Sequence, residues 1–250
     1  MPEKDLRLSL LEHLEEIRKR VFVVLIVFVI FSMTGFYFSE GLLHWLKIPG
    51  GPYLGTLSVF SPTSAILTFF KMAFFFGLIF SLPVLLYEIW MFIRPAVEAS
   101  LAWYGAFFIF SGTGLFITGA LLSFYFLIPA SLKFLLNIGR GELQFLISLD
   151  SYISFVLLFM LAGGLIFEIP LLAFFLAKLN ILTAQIMIRH WKTAAVGSVV
   201  FSAFITPTPD IFNMALMALP MFILYMISVG IVMLTQTRNK KVLQGGIRAG

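Results

Sequence analysis

The sequence has no cysteine, which removes disulfide frameworks, thiolate nucleophiles and cysteine-ligated metals together. Charge is scarce too: charged residues make up 12% of the 250, against 60% hydrophobic residues, 30 phenylalanines and a mean hydropathy of +1.03. A water-soluble domain could not cover its surface with so few polar groups, so the chain reads as an integral membrane protein. Signatures of catalysis are missing as well. There is no G-x-S-x-G and no Walker A loop, and His13, His44 and His190 lie on different segments. No enzyme activity, metal or cofactor is therefore expected. The formal charge of +5 is no nucleic-acid footprint until the side of the bilayer is known, and no nucleic-acid partner is expected. No internal repeat is visible, which weakens an inverted-repeat transporter architecture.

What is abundant is long apolar runs. Six are candidate spans: 21–38, 69–93, 101–128, 151–177, 193–205 and 211–234, giving one all-α, six-helix membrane domain over residues 1–250. The first run is too long for a signal-peptide core and lacks an A-x-A-like exit, so it reads as a retained span. The fifth, "TAAVGSVVFSAFI", would rise only about 20 Å against a hydrocarbon core of roughly 30 Å and spans only where the bilayer thins or its flanks snorkel. Between the fifth and sixth runs, the two prolines of "TPTPD" forbid one continuous helix and predict a tight reversal. With six spans and the N-terminus inside, 13 of the 17 lysines and arginines fall on inner segments. Lys47, Lys71, Lys133 and Arg140 fall outside. The positive-inside rule reads that bias as cytoplasmic termini in a multi-pass cell membrane protein.

Residues 39–68, rich in glycine, proline and aromatics, predict a structured outer cap. "PASLKFLLNIGRGELQFLISLD", residues 129–150, suits a helix lying partly along the surface, or equally an ordinary connecting loop. "SGTGLFITG" reads as close helix packing by small residues.

Acids are few and therefore informative. Glu88, near the inner end of the second run, reads as an interfacial or interhelical partner before a ligand-binding group. Asp210 follows "TPTP" and is placed to cap the sixth helix through backbone N–H groups. Glu168 lies inside "LAGGLIFEIPLLAFFLA", where an ionised side chain costs at least ~2.5–3.5 kcal/mol. Protonating an ordinary glutamate at neutral pH costs a similar amount, so both charge states stay open. Pro170 denies the Ile166 carbonyl its helical donor, so an unsatisfied acceptor and a carboxyl group share one turn. Glu168 is expected to face a protein-lined or wet concavity.

Before the first run, "LLEHLEEIRKRVF" sets Leu8, Leu11, Leu14 and Ile17 in register on an amphipathic helix. Arg18, Lys19 and Arg20 would hold its orientation. Taken together, "HLEEIRKR", "SP" at 61 and 62, "PVLLYEIWMFIRPA", "FEIP" and "TPTPD" occur in order over nearly the whole chain. They resemble the TatC family, the multispanning receptor of the twin-arginine protein translocase. The resemblance implies a concave arrangement of six helices that binds twin-arginine signal peptides. It implies assembly with TatA- and TatB-type single-span proteins and with further copies of itself, and export of folded proteins driven by the proton-motive force. Family roles carry onto Glu16 and Arg18, Pro49 in the outer cap, Phe92 and Pro95 in the first inner loop, Glu168 and Asp210.

The chain departs from the family pattern at three positions: Leu101 replaces a glutamate, Ser64 an acid, and Met214 a glutamine. Two adjacent guanidinium groups need carboxylates, whose oxygens match the planar fork. Glu16 supplies one. Glu98, one helical turn before Leu101, is the nearest inner-loop candidate for the second. The expected signal site is thus Glu16 with Glu98, assisted by Glu15, with Arg18 orienting Glu16. A proton-coupled small-solute transporter using Glu168, or a structural assembly scaffold, are the alternatives.

Overall fold

The computed structural model describes residues 2–54, 57–94, 104–137, 146–206 and 210–248. Side chains are described for 14–51, 54, 57–94, 104–137, 146–206 and 210–236. The helices are α1 (Pro2–Tyr37), α2 (Ser39–Leu46), α3 (Pro62–Ile93), α4 (Tyr104–Leu122), α5 (Ile128–Asn137), α6 (Leu149–Phe167), α7 (Ile169–Lys178), α8 (Ala184–Arg189), α9 (Trp191–Ile205) and α10 (Ile211–Arg248). A 3-10 turn covers Ile48–Tyr53 and a π-helical turn covers Ser123–Leu127. Among the described residues five stretches are long and apolar enough to cross a membrane: Leu14–Tyr37, Pro62–Ile93, Tyr104–Asn137, Leu149–Lys178 and Ile211–Gln236. The shorter α9, at 15 residues, rises about 22 Å and completes the six. This is a multi-pass membrane protein.

Backbone contacts divide the chain into two compact units. The first joins Met1–Trp45 to Ser61–Thr113, and the second joins Leu46–Phe60 to Gly114–Gly250. In the first, α1 and α3 run antiparallel, locked by aromatic pairs: Phe28 with Phe74 at 6.0 Å, Phe31 with Phe80 at 5.6 Å and Phe36 with Phe70 at 5.2 Å. Gly77 is required where the two backbones meet, because a Cβ there would lie 2.9 Å from the Phe28 carbonyl oxygen. The amphipathic N-terminal segment is continuous with the first span in one 36-residue helix.

In the second unit α6 packs on the end of α4. A Cβ on Gly163 would sit 2.7 Å from the Gly119 carbonyl oxygen and collide with Ser123 Oγ. Of the glycines in "SGTGLFITG", Gly119 makes this approach, whereas a Cβ on Gly114 would meet nothing within 4 Å. Residues 128–137 continue the third span through the π-helical turn and form no separate surface helix there. The physical reason is local. Pro129 has no N–H to give the ladder, and the wider turn just before it, where the Ile128 N–H reaches the Ser123 carbonyl, absorbs that defect without ending the helix.

The fourth apolar run is split. α6 ends at Phe167, Glu168 forms the junction and α7 starts at Ile169 with Pro170 in its first turn, where a missing N–H costs nothing. α7 closes on Asn180, whose φ of 58° and the Ile181 N–H to Leu176 carbonyl bond of 2.9 Å form a left-handed helix stop. α7, α8 and α10 share a small core of Ala173, Ala177, Ala184, Met187, Val229 and Val232, and Tyr225 donates from its hydroxyl to the Met187 carbonyl at 2.7 Å.

Candidate functional site

Glu16 and Arg20 are four residues apart on α1, the spacing at which helical side chains meet. Arg20 donates to Glu16 Oε1 from Nε at 3.1 Å and from Nη2 at 2.6 Å. Across to α3 it donates from Nη1 to Glu88 Oε2 at 2.8 Å and from Nη2 to the Met91 carbonyl at 3.4 Å. One guanidinium thus bridges two carboxylates. Beside it, Ile17, Val24, Leu85, Ile89 and Phe92, together with Arg20 and Glu88, line an apolar cavity of about 490 Å³. The arrangement can accept a cationic group next to an apolar one. Glu15 pairs with Lys19 at 3.2 Å on the exposed side of the helix.

The guanidinium that holds Glu16 is that of Arg20. Sequence reasoning gave the orienting role to Arg18, whose guanidinium lies over the Phe22 ring at 5.8 Å. On a helix Arg18 projects about 160° away from Arg20, which faces α3.

Glu168 sits where the helix changes course. Its N–H donates to the Leu165 carbonyl at 3.1 Å and its own carbonyl accepts from Leu172 at 2.9 Å. The main chain is therefore satisfied, but the side-chain Oε1 is buried without a hydrogen-bond partner among the described residues. Asp210 begins α10: Oδ1 accepts from the Asn213 N–H at 2.7 Å and Oδ2 from Asn213 Nδ2 at 2.8 Å, an N-cap geometry. Ser131 of α5 hydrogen-bonds the fully buried Asn213 through Oδ1. Among the described residues no cluster of three or more histidines or acids gathers to hold a metal ion.

Residues 12–220 match the family described as Sec-independent protein translocase protein (TatC). The chain belongs to the TatC family. A TatC protein of Carboxydothermus hydrogenoformans is 32% identical over 226 residues, covering 90% of this chain and 93% of that one. One from Aquifex aeolicus is 34% identical over 242 residues, covering 95% and 99%. A crystal structure described as the twin arginine translocase receptor TatC superposes with a TM-score of 0.81 at 33% identity, covering 90% of this chain and 99% of that one.

Of the TatC positions picked out in the sequence, Pro49 is buried in the 3-10 turn that follows α2. Phe92 lies in the last turn of α3, at the cavity, and not in a loop. Pro95, Glu98 and Leu101, and with them the proposed pairing of Glu98 with Glu16, lie outside the described residues. Sequence reasoning missed Arg20 as the bridge, although its spacing from Glu16 was available. It also missed Tyr152, whose hydroxyl donates to the Leu46 carbonyl at 2.9 Å and ties the chain before the 3-10 turn to α6. A second tie lies beside it, where Ser58 and Ser148 form an isolated parallel bridge. Neither contact has a local sequence signal.

Proposed function

We propose that this chain is the signal-peptide receptor and core membrane subunit of a twin-arginine translocase. In this reading it sits in the cytoplasmic membrane with both termini inside. It recognises the paired arginines of folded precursors and works with TatA- and TatB-type single-span proteins, and with further copies of itself, in export driven by the proton-motive force. Family membership supports the transport role, and the basic bias of the inner segments supports the orientation. The observation that carries the receptor role is the acid-rich trio of Glu16, Arg20 and Glu88 beside an apolar cavity. Arginine forks bind carboxylates bidentately. A signal with arginines next to an apolar stretch offers both chemistries.

Site-specific crosslinking tests this. A photoreactive group at Ile17 or Phe92 should capture a twin-arginine precursor, and the yield should fall when the arginines become lysines, which keep charge but lose the fork. Equal capture of both precursors would sink the receptor reading. Reporter groups at Gly51 and after Gly250 should lie on opposite sides of the membrane.

A further inference from the structure

Glu16 and Glu88 are already spaced one guanidinium apart. Arg20 reaches both at 2.6 and 2.8 Å, so a second guanidinium could occupy the same two carboxylates without moving either helix. The three side chains grade in accessibility, with 39% of Glu16, 21% of Arg20 and 14% of Glu88 exposed. Glu88 Oε2 is already held by Arg20 Nη1, so an arginine that takes that oxygen does so in place of Arg20.

We propose that Glu88 is the second carboxylate of a two-acid arginine site with Glu16, and that Arg20 is a resident guanidinium which an incoming arginine displaces. The proposal rests on the receptor reading above and adds to it the identity of the second acid and a built-in competitor. It accounts for how a chain with Leu101 in the family's glutamate position still presents two acids. It also gives a physical basis for discrimination. A lysine ammonium is a compact point charge that cannot reproduce the planar bridge, so it does not replace Arg20 on equal terms. The apolar cavity flanking the acids, walled by Val21, Leu85, Ile89 and Phe92, then takes the apolar side chains that accompany the arginines.

The test uses the full chain in lipid vesicles and two synthetic signal peptides that differ only in Arg-Arg against Lys-Lys. Glu88→Gln should weaken the Arg-Arg peptide about tenfold, the usual scale of one charge-assisted hydrogen bond, and change the Lys-Lys peptide little. Arg20→Gln should strengthen both peptides and narrow the difference between them, because vacant acids also accept an ammonium. Adding Glu88→Gln to Arg20→Gln should cancel that gain. Should Arg20→Gln fail to accumulate, Arg20→Lys takes its place: it keeps the charge, loses the fork and should still bind the Arg-Arg peptide more tightly than the parent. The proposal is overturned if Glu88→Gln leaves Arg-Arg affinity unchanged, or if both Arg20 variants bind no better than the parent. Either outcome would reduce Arg20 and Glu88 to a tie between α1 and α3. Failure of the receptor reading looks different, because the parent itself would then show no preference for Arg-Arg.

Discussion

Two helix pairs, one in each compact unit, solve the same problem differently. α1 and α3 meet through phenylalanine rings, and the most apolar window of the first span is only 11% buried. α6 meets α4 through glycines, backbone nearly on backbone, and the corresponding window of the fourth span is 67% buried. The acids follow the packing. On the loosely buried pair Glu88 has a guanidinium partner, while at the end of the tightly packed α6 one oxygen of Glu168 has no hydrogen-bond partner among the described residues. An unpaired polar atom in water-poor surroundings is costly and must be offset by the packing around it. Close glycine contacts occur in both units, at Gly77 in the first and Gly163 in the second, and the first unit adds the ion trio to its phenylalanine contacts.

The sharpest break in this comparison is at Gly163. Any side chain there meets the Gly119 carbonyl at 2.7 Å and Ser123, and backbone cannot yield as a side chain would. Gly163→Leu is expected to cost about 3 kcal/mol or to prevent accumulation in the membrane. Gly114→Ala, with open space around it, should be neutral or gain up to ~1 kcal/mol from helix propensity. Thermal unfolding in detergent separates the two, and equal losses would mean that glycine content rather than close approach holds α4 to α6.

Next in size is Arg20→Ala, which removes the guanidinium that bridges Glu16 and Glu88. Fully buried pairs lose 3–5 kcal/mol when one member is removed. With Glu16 at 39% exposure, solvent screening lowers the expected loss to about 2 kcal/mol. Adding Glu88→Gln to Arg20→Ala should recover part of it. No recovery would show that Arg20 stabilises the pair by packing and not by charge.

These residues also mark how far the sequence could be read. Six apolar segments were legible because hydropathy is a local property, and Pro170 announced a disturbance near Glu168. That the helix breaks at Glu168 itself, and that the π-helical turn precedes Pro129, was not legible, since one extra residue in a turn leaves the hydropathy profile unchanged. Gly114 and Gly119 look alike in sequence, and only the facing helix distinguishes them. The Glu16 to Arg20 contact was encoded in a four-residue spacing. Its extension to Glu88, 68 residues away, depends on how α1 meets α3 and has no local signature.

A smaller effect, of opposite sign, is expected at Glu168. Replacing an unpartnered buried oxygen removes a desolvation penalty, so Glu168→Leu should raise stability by about 1 kcal/mol. Export should nevertheless fall if that oxygen awaits a partner's donor, and Glu168→Gln, which keeps a hydrogen-bonding oxygen, should retain more activity than Glu168→Leu. The informative result is the opposition itself: higher melting temperature with lower export. A lower melting temperature in Glu168→Leu would show that the carboxyl group is already satisfied in the folded protein.

The smallest effect belongs to another ion pair described on the same helix. Lys19 and Glu15 share the four-residue spacing of Arg20 and Glu16, and at 3.2 Å they are close enough to count as an ion pair. Yet 75% of Lys19 and 62% of Glu15 is exposed, so water competes for both charges, and fixing two long side chains costs rotamer entropy. Pairs of this kind contribute ~0.3–0.5 kcal/mol and less as salt rises. Lys19→Ala should therefore shift stability by no more than about 0.5 kcal/mol, and the shift should vanish in high salt, whereas the Arg20→Ala deficit should persist because α3 shields part of that trio. Measuring both variants at two salt concentrations tests whether contact with α3, rather than spacing along α1, separates a structural charge from a solvated one. A Lys19→Ala loss as large as that of Arg20→Ala would reject that distinction.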